Sequence, residues 1–174
     1  MARARAQLRI GTALFALASD GGDEFRRDTI AAAAEAAAQY WFREILPKHF
    51  TPAAMRLYPD AYALRNKSYQ IRKARKQHHQ DPMVWKGDFK RSQLSSFSLQ
   101  SRIGRSMVRI TLRLPAARAL NLWGAGRKHD FAAALQAVNQ ADSDKLREVM
   151  AQVVGERVAR AAENGDEIVS THVA

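Results

Sequence analysis

The 174-residue chain contains no cysteine. A disulfide scaffold, a thiolate nucleophile and a cysteine-ligated zinc or iron–sulfur site are therefore excluded, although this does not identify the redox compartment. Long apolar runs are missing too. Runs such as residues 30–34 and 36–38 are alanine-rich and far shorter than the ~20 apolar residues that span a bilayer, so no membrane segment is expected. There is no glycine–x–Ser–x–glycine elbow for a serine nucleophile, and Gly124-Ala125-Gly126-Arg127-Lys128 lacks both the spacing and the Lys-Ser or Lys-Thr ending of a phosphate loop. It reads as a turn. Acids are scarce in one place: residues 65–118 hold fourteen Lys or Arg against only Asp81 and Asp88, a local charge of +12.

The remaining 120 residues carry fourteen bases and fifteen acids and sum to −1, so the overall +11 belongs to the middle of the chain. The basic residues there include Arg65, Lys67, Arg72, Lys73, Arg75, Lys76, Lys86, Lys90, Arg91, Arg102, Arg105, Arg109 and Arg113. Clustered charge of this kind faces phosphate, an acidic protein surface or solvent. The length fits one domain, and a chain of this size buries about 70% of the surface exposed when unfolded, enough for a core without staples.

The opening MARARAQLRIGTALFALASDGG has the outline of a secretory signal, but its apolar part is only residues 12–18. A first helix or an extended arm fits better, with residues 2–17 a short helix or flexible arm before Gly21-Gly22. Residues 23–46 predict a long helix, because Ile30, Ala34, Ala37, Trp41 and Ile45 recur at three and four residues. Asp23, Glu24 and Asp28 lie near its positive dipole end and Pro47 marks its stop. Its alanines favour helix and allow close packing against another element or another subunit. Thr51-Pro52 predicts a short helix with threonine as cap, and Tyr58 and Tyr62 are core or interface anchors. Residues 66–77 predict a basic helix, or a loop ordered by a neighbour, ended by His78-His79-Gln80-Asp81-Pro82.

The period then changes. Val108, Ile110, Leu112 and Leu114 alternate with Arg109, Thr111 and Arg113, the pattern of a strand with one buried face. Residues 94–103 alternate as well and predict the other half of an antiparallel hairpin, and a third short strand fits 117–122. Phe131, Leu135 and Val138 define a short helix, and Asp142 or Ser143 caps a longer one over 144–162. The expected fold is α+β, a small antiparallel β-sheet packed with a long N-terminal helix and C-terminal helices. It forms one domain over 1–174, with an N-terminal arm at 1–22 and a C-terminal arm at 166–174 that pairs as an edge strand or with a partner.

No catalytic set emerges, and neither an enzyme nor a cofactor is expected. The histidines at 49, 78, 79, 129 and 172 never form the i, i+4 pair of a helical zinc motif, and His78-His79 with Asp81 reads as a polar loop. The serines at 92, 95, 96 and 98 are explained by strand alternation. Nucleic-acid binding is the alternative, a small basic module over 65–118 in which bases interleave with Tyr69, Trp85 and Phe89. Against a base-stacking sheet, the clear strand exposes arginine and threonine rather than aromatics.

The run Pro82-Met83-Val84-Trp85-Lys86-Gly87-Asp88-Phe89-Lys90-Arg91-Ser92 resembles a stretch found in tail-completion or neck (head–tail joining) proteins of tailed bacteriophages. Phe89 stands where leucine is expected. The surrounding order is similar as well: a long helix (23–46), a basic loop (62–79), strands (94–115), then helices (131–162). This resemblance implies a non-catalytic virion protein made in the host cytoplasm. It would form a homo-oligomeric ring at the head–tail junction or upper tail, beside portal or adaptor and tail proteins, with non-specific contact to genomic DNA in the channel. Pro82 then pins a loop exit, Gly87 permits a tight turn, and Val84, Trp85 and Phe89 anchor that turn. The residues expected at the interface or channel are Arg65, Lys67, Tyr69, Arg72, Lys73, Arg75, Lys76, Trp85, Lys86, Gly87, Phe89, Lys90 and Arg91. Charge complementarity there steers assembly more than it adds affinity.

Overall fold

The computed structural model describes residues 7–13, 22–62, 67–78, 81, 87–103, 107–115 and 131–163. In chain order these form β1 (Gln7–Ala13), α1 (Gly22–Tyr40), a π turn (Trp41–Ile45) and a 3-10 turn (Leu46–Phe50). Then come α2 (Ala54–Leu57), α3 (Lys67–Gln77), α4 (Asp88–Ser95), β2 (Ser98–Ile103), β3 (Met107–Arg113), α5 (Phe131–Gln136) and α6 (Gln140–Glu163). The fold is α+β: a small antiparallel sheet packed with a long N-terminal helix and C-terminal helices.

The sheet runs β1-β3-β2, antiparallel throughout. Residues 7–13, expected as helix or arm, are thus a strand beside β3. Arginines among small residues look locally helical, but Leu8, Ile10 and Thr12 stand in register with Leu112, Ile110 and Val108, and a partner about 100 residues away supplies the backbone ladder. The predicted hairpin is present, with β2 starting later than expected because Leu94 and Ser95 close α4. The predicted strand at 117–122, the glycine-rich turn at 124–126 and the arm at 166–174 lie outside the described residues.

Val108, Ile110 and Leu112 are fully buried and Arg109 is exposed, so one sheet face meets the core. α1 lies between that sheet and α6. Its Ala33, Ala34, Ala37 and Ala38 are all fully buried, which answers the question its composition raised: the small residues let α1 approach elements of its own chain.

Pro47 does not end the helical path. The chain widens through the π turn, where the Leu46 N–H bonds the Trp41 carbonyl, and then tightens into the 3-10 turn, with Pro47 at its start. A missing N–H costs nothing at such a start. The change of pitch buries Trp41, Ile45, Leu46, His49 and Phe50 completely, at spacings of four, one, three and one. These join Leu114, Ala134, Leu135, Tyr58 and Tyr62 in the core. Thr51 caps nothing downstream: its hydroxyl donates back to the Lys48 carbonyl at 2.7 Å, and α2 begins after Ala53 with no side-chain cap. α6 begins four residues before the expected 144, and its cap is Asn139, whose Oδ1 accepts the Asp142 N–H at 2.8 Å.

Candidate interaction surface

Gly87 shows why the motif needs glycine at this point. It holds φ +82° immediately before α4, a left-handed conformation that costs other residues about 1–2 kcal/mol. Its carbonyl accepts the Arg91 N–H at 2.9 Å, closing the first turn. Asp88 opens the helix and pairs with the Arg91 side chain, both exposed. Phe89 turns inward, meeting Phe50 edge-on at 6.0 Å between ring centres, and Leu94 packs on the core. Gln93 is fully buried and its amide donates to the Pro115 carbonyl at 3.1 Å, tying α4 to the end of β3. Phe97 then packs on Phe42 at 4.4 Å. The motif's second half is therefore a short helix rooted on its apolar side, with Arg91 exposed and Lys90 half-buried on the other.

α3 is the second basic element, as predicted for residues 66–77. Arg72, Arg75 and Lys76 are on its surface and Ile71 is 46% exposed. Lys73 differs: it is buried, and its ammonium donates to the Asp81 backbone carbonyl. Its charge therefore points into the protein rather than toward a partner. Lys67 and Tyr69 lie in the first turn of α3. His78 ends the helix in a left-handed conformation, φ 56°, with its N–H on the Ala74 carbonyl. Arg65, Trp85 and Lys86, with Pro82 and Val84, lie outside the described residues. α3 packs only marginally on the other described elements, whereas α4 is seated on the 3-10 turn.

A third set of charges lies on the sheet face turned away from α1. Arg102 of β2 sits directly opposite Arg109 of β3, and both are exposed; Arg113 follows on the same face, half-buried.

Beneath this surface lies a buried polar tie that no local pattern announces. Asp142, 2% exposed, accepts the Lys48 ammonium at 2.6 Å on one oxygen and the Tyr58 hydroxyl at 2.6 Å on the other. The fully buried His49 ring stacks on Tyr58 at 4.1 Å, and its Nδ1 meets the Tyr62 hydroxyl at 2.9 Å. Burial drives the His49 pKa down to about 4, against smaller upward pulls from the Ala137 backbone and Asp142. Its Nε2 lacks a hydrogen bond of good geometry despite that nearby backbone. Burial, then the bond to Asp142, pushes the Tyr58 hydroxyl well above its ordinary value. The set resembles acid–base machinery only in composition, since each ring and carboxylate is closed off from solvent. It clamps the 3-10 turn, the segment around Tyr58 and the start of α6. Position 48 lies 94 residues from 142, so only folding pairs them.

Among the described residues no group of three or more His, Asp or Glu is placed to hold a metal ion, and no helix is long and apolar enough to cross a membrane. Compared with known proteins, the chain matches no family model, no curated protein and no solved structure.

Proposed function

We propose that the chain is a structural virion protein of a tailed bacteriophage, forming a homo-oligomeric ring at the head–tail interface or upper tail and joining the capsid connector to the tail. The observation that carries this reading is how the motif at 82–92 is used locally. Gly87 sets the start of α4, Phe89 roots it on Phe50, and Arg91 faces outward. An assembly surface needs charge held on a rigid support, and α4 has that form. α3 adds Arg72, Arg75 and Lys76 beside the exposed Ile71. A ring closes through a heterologous contact, one surface of each copy meeting a different surface of the next. β2, an outer strand of the sheet as described, offers backbone groups to such a neighbour.

The experiment is a mass measurement by sedimentation velocity on the full chain, alone and mixed with the portal or adaptor and tail proteins encoded beside it. A closed multimer seen as rings by electron microscopy is the expected result. A chain that stays monomeric in every mixture and is absent from purified particles overturns the reading.

A further inference from the structure

We infer that the contact between neighbouring copies joins two helical faces of opposite charge: the exposed face of α3 on one copy and the exposed face of the first turns of α1 on the next. The choice of a second copy as partner rests on the ring reading, and the inference names the two surfaces that such a ring brings together.

Each face sets an exposed apolar residue among like charges. On α3, Ile71 and Arg75 stand four residues apart, as do Arg72 and Lys76, so the four share one side of the helix. All four are exposed, Ile71 to 46%, and the helix sequence KSYQIRKARKQ contains no acid. The buried Lys73 marks the opposite side. On α1, Glu24 and Asp28 stand four residues apart with Phe25 beside them, and all three are exposed, Phe25 to 37%. Arg26 and Arg27, the bases of the same turns, are half-buried, and the helical step of about 100° per residue directs them away from that side.

The helix dipole accounts for acids at the start of α1 and bases at the end of α3. It does not account for a phenylalanine and an isoleucine left exposed among those charges. An apolar centre within a polar rim is the anatomy of a protein–protein interface, and here the two rims have opposite sign. Exposed charges of α4 and α6 are matched within their own helices, Arg91 with Asp88, Lys145 with Glu148 and Arg147 with Asp144. Glu24, Asp28, Arg75 and Lys76 form no ion pair with another described residue.

Both faces are exposed on the same chain, so neither covers the other within it. A heterologous contact needs two different, complementary surfaces per copy, one turned to each neighbour, and these two faces meet that need. Two turns of helix on each side bury well under the ~1,200 Å² of a stable interface. A single contact is therefore weak, its register set by opposite charge, and closure of the ring holds it.

The test is crosslinking of full-length chains. Because the chain has no cysteine, Phe25→Cys in one preparation and Ile71→Cys in a second, isotopically labelled one each place a single thiol on one face. A short bis-maleimide added to the mixture at low salt should give mixed dimers in preference to homodimers of either variant, and less of them as salt screens the charges. Adding Arg75→Glu with Lys76→Glu to the Ile71→Cys chain should lower the yield about tenfold or more. Glu24→Lys with Asp28→Lys on the Phe25→Cys chain should then restore it. Absence of mixed dimers overturns the inference, as do homodimers formed in equal yield or a yield indifferent to the charge changes. Wild-type rings seen by electron microscopy without mixed dimers overturn this contact and leave the ring standing, whereas mixed dimers without any closed multimer support the contact and overturn the ring.

Discussion

Acidification should destabilise this protein through His49 in a window that can be calculated. The ring is fully buried, and its pKa falls from an ordinary 6.5 to about 4 in the folded chain. Between those values the unfolded chain takes up a proton that the folded chain refuses, so stability rises with pH. The contribution is fully present above pH 6.5 and is lost as pH falls toward 4. Linkage puts the loss between pH 7 and pH 5 at about 2 kcal/mol. Urea unfolding at the two pH values reads this as a midpoint shift near 1 M, for a slope of about 2 kcal/mol per molar. Other groups titrate in the same range, so His49→Gln is the reference: it loses overall stability but should show a flatter pH dependence by that amount. Equal pH dependence in the two proteins, or an NMR titration of His49 with its midpoint near the ordinary 6.5, refutes the reasoning.

Two further substitutions probe the tie and the turn. Asp142→Ala leaves the Tyr58 hydroxyl buried without its acceptor and strips the start of α6 of a carboxylate. The destabilisation should be about 2–4 kcal/mol by urea unfolding, most of it from Tyr58 because Lys48 is 41% exposed and screened by solvent. Strict additivity with Tyr58→Phe in a double-mutant cycle would show that the two do not interact. Gly87→Ala should cost about 1 kcal/mol from its left-handed backbone. The added Cβ would lie 3.3 Å from the tip of Arg91, which can move aside. A neutral or stabilising result in thermal unfolding would mean that position 87 does not hold the positive φ.

The tie and the surface are connected through the 3-10 turn. Lys48 and His49 engage Asp142, Tyr58 and Tyr62 on one side of it, while the neighbouring Phe50 receives Phe89 of α4. Loosening the tie therefore weakens the seat of the helix that displays Arg91, so an acid-induced fall in stability and a loosening of α4 are expected together.

Where the pattern was local, reading it from the chain succeeded. The 3.6-residue spacing of Ala34, Trp41 and Ile45 and the strict alternation around Ile110 each reflect one buried face, and burial of one face is what a periodic pattern records. Gly87 was legible for a related reason, since few residues accept a left-handed backbone. The interface candidates were only partly legible: Arg72, Arg75, Lys76 and Arg91 are displayed, whereas Lys73 is turned inward.

By itself, the sequence determined that there would be one long alanine-rich helix, a strand with arginines on its polar face, a basic middle and no cysteine chemistry. Only the tertiary structure decided that residues 7–13 would be a strand, that the alanines would serve the chain's own packing, and that Asp142 would close on Lys48 and Tyr58. It also decided that Arg102 and Arg109 would stand opposite each other. The division has one physical cause. Composition and periodicity record what a residue does with its own neighbours in the chain, whereas a strand partner, a buried counter-charge and a shared face depend on residues brought together by folding.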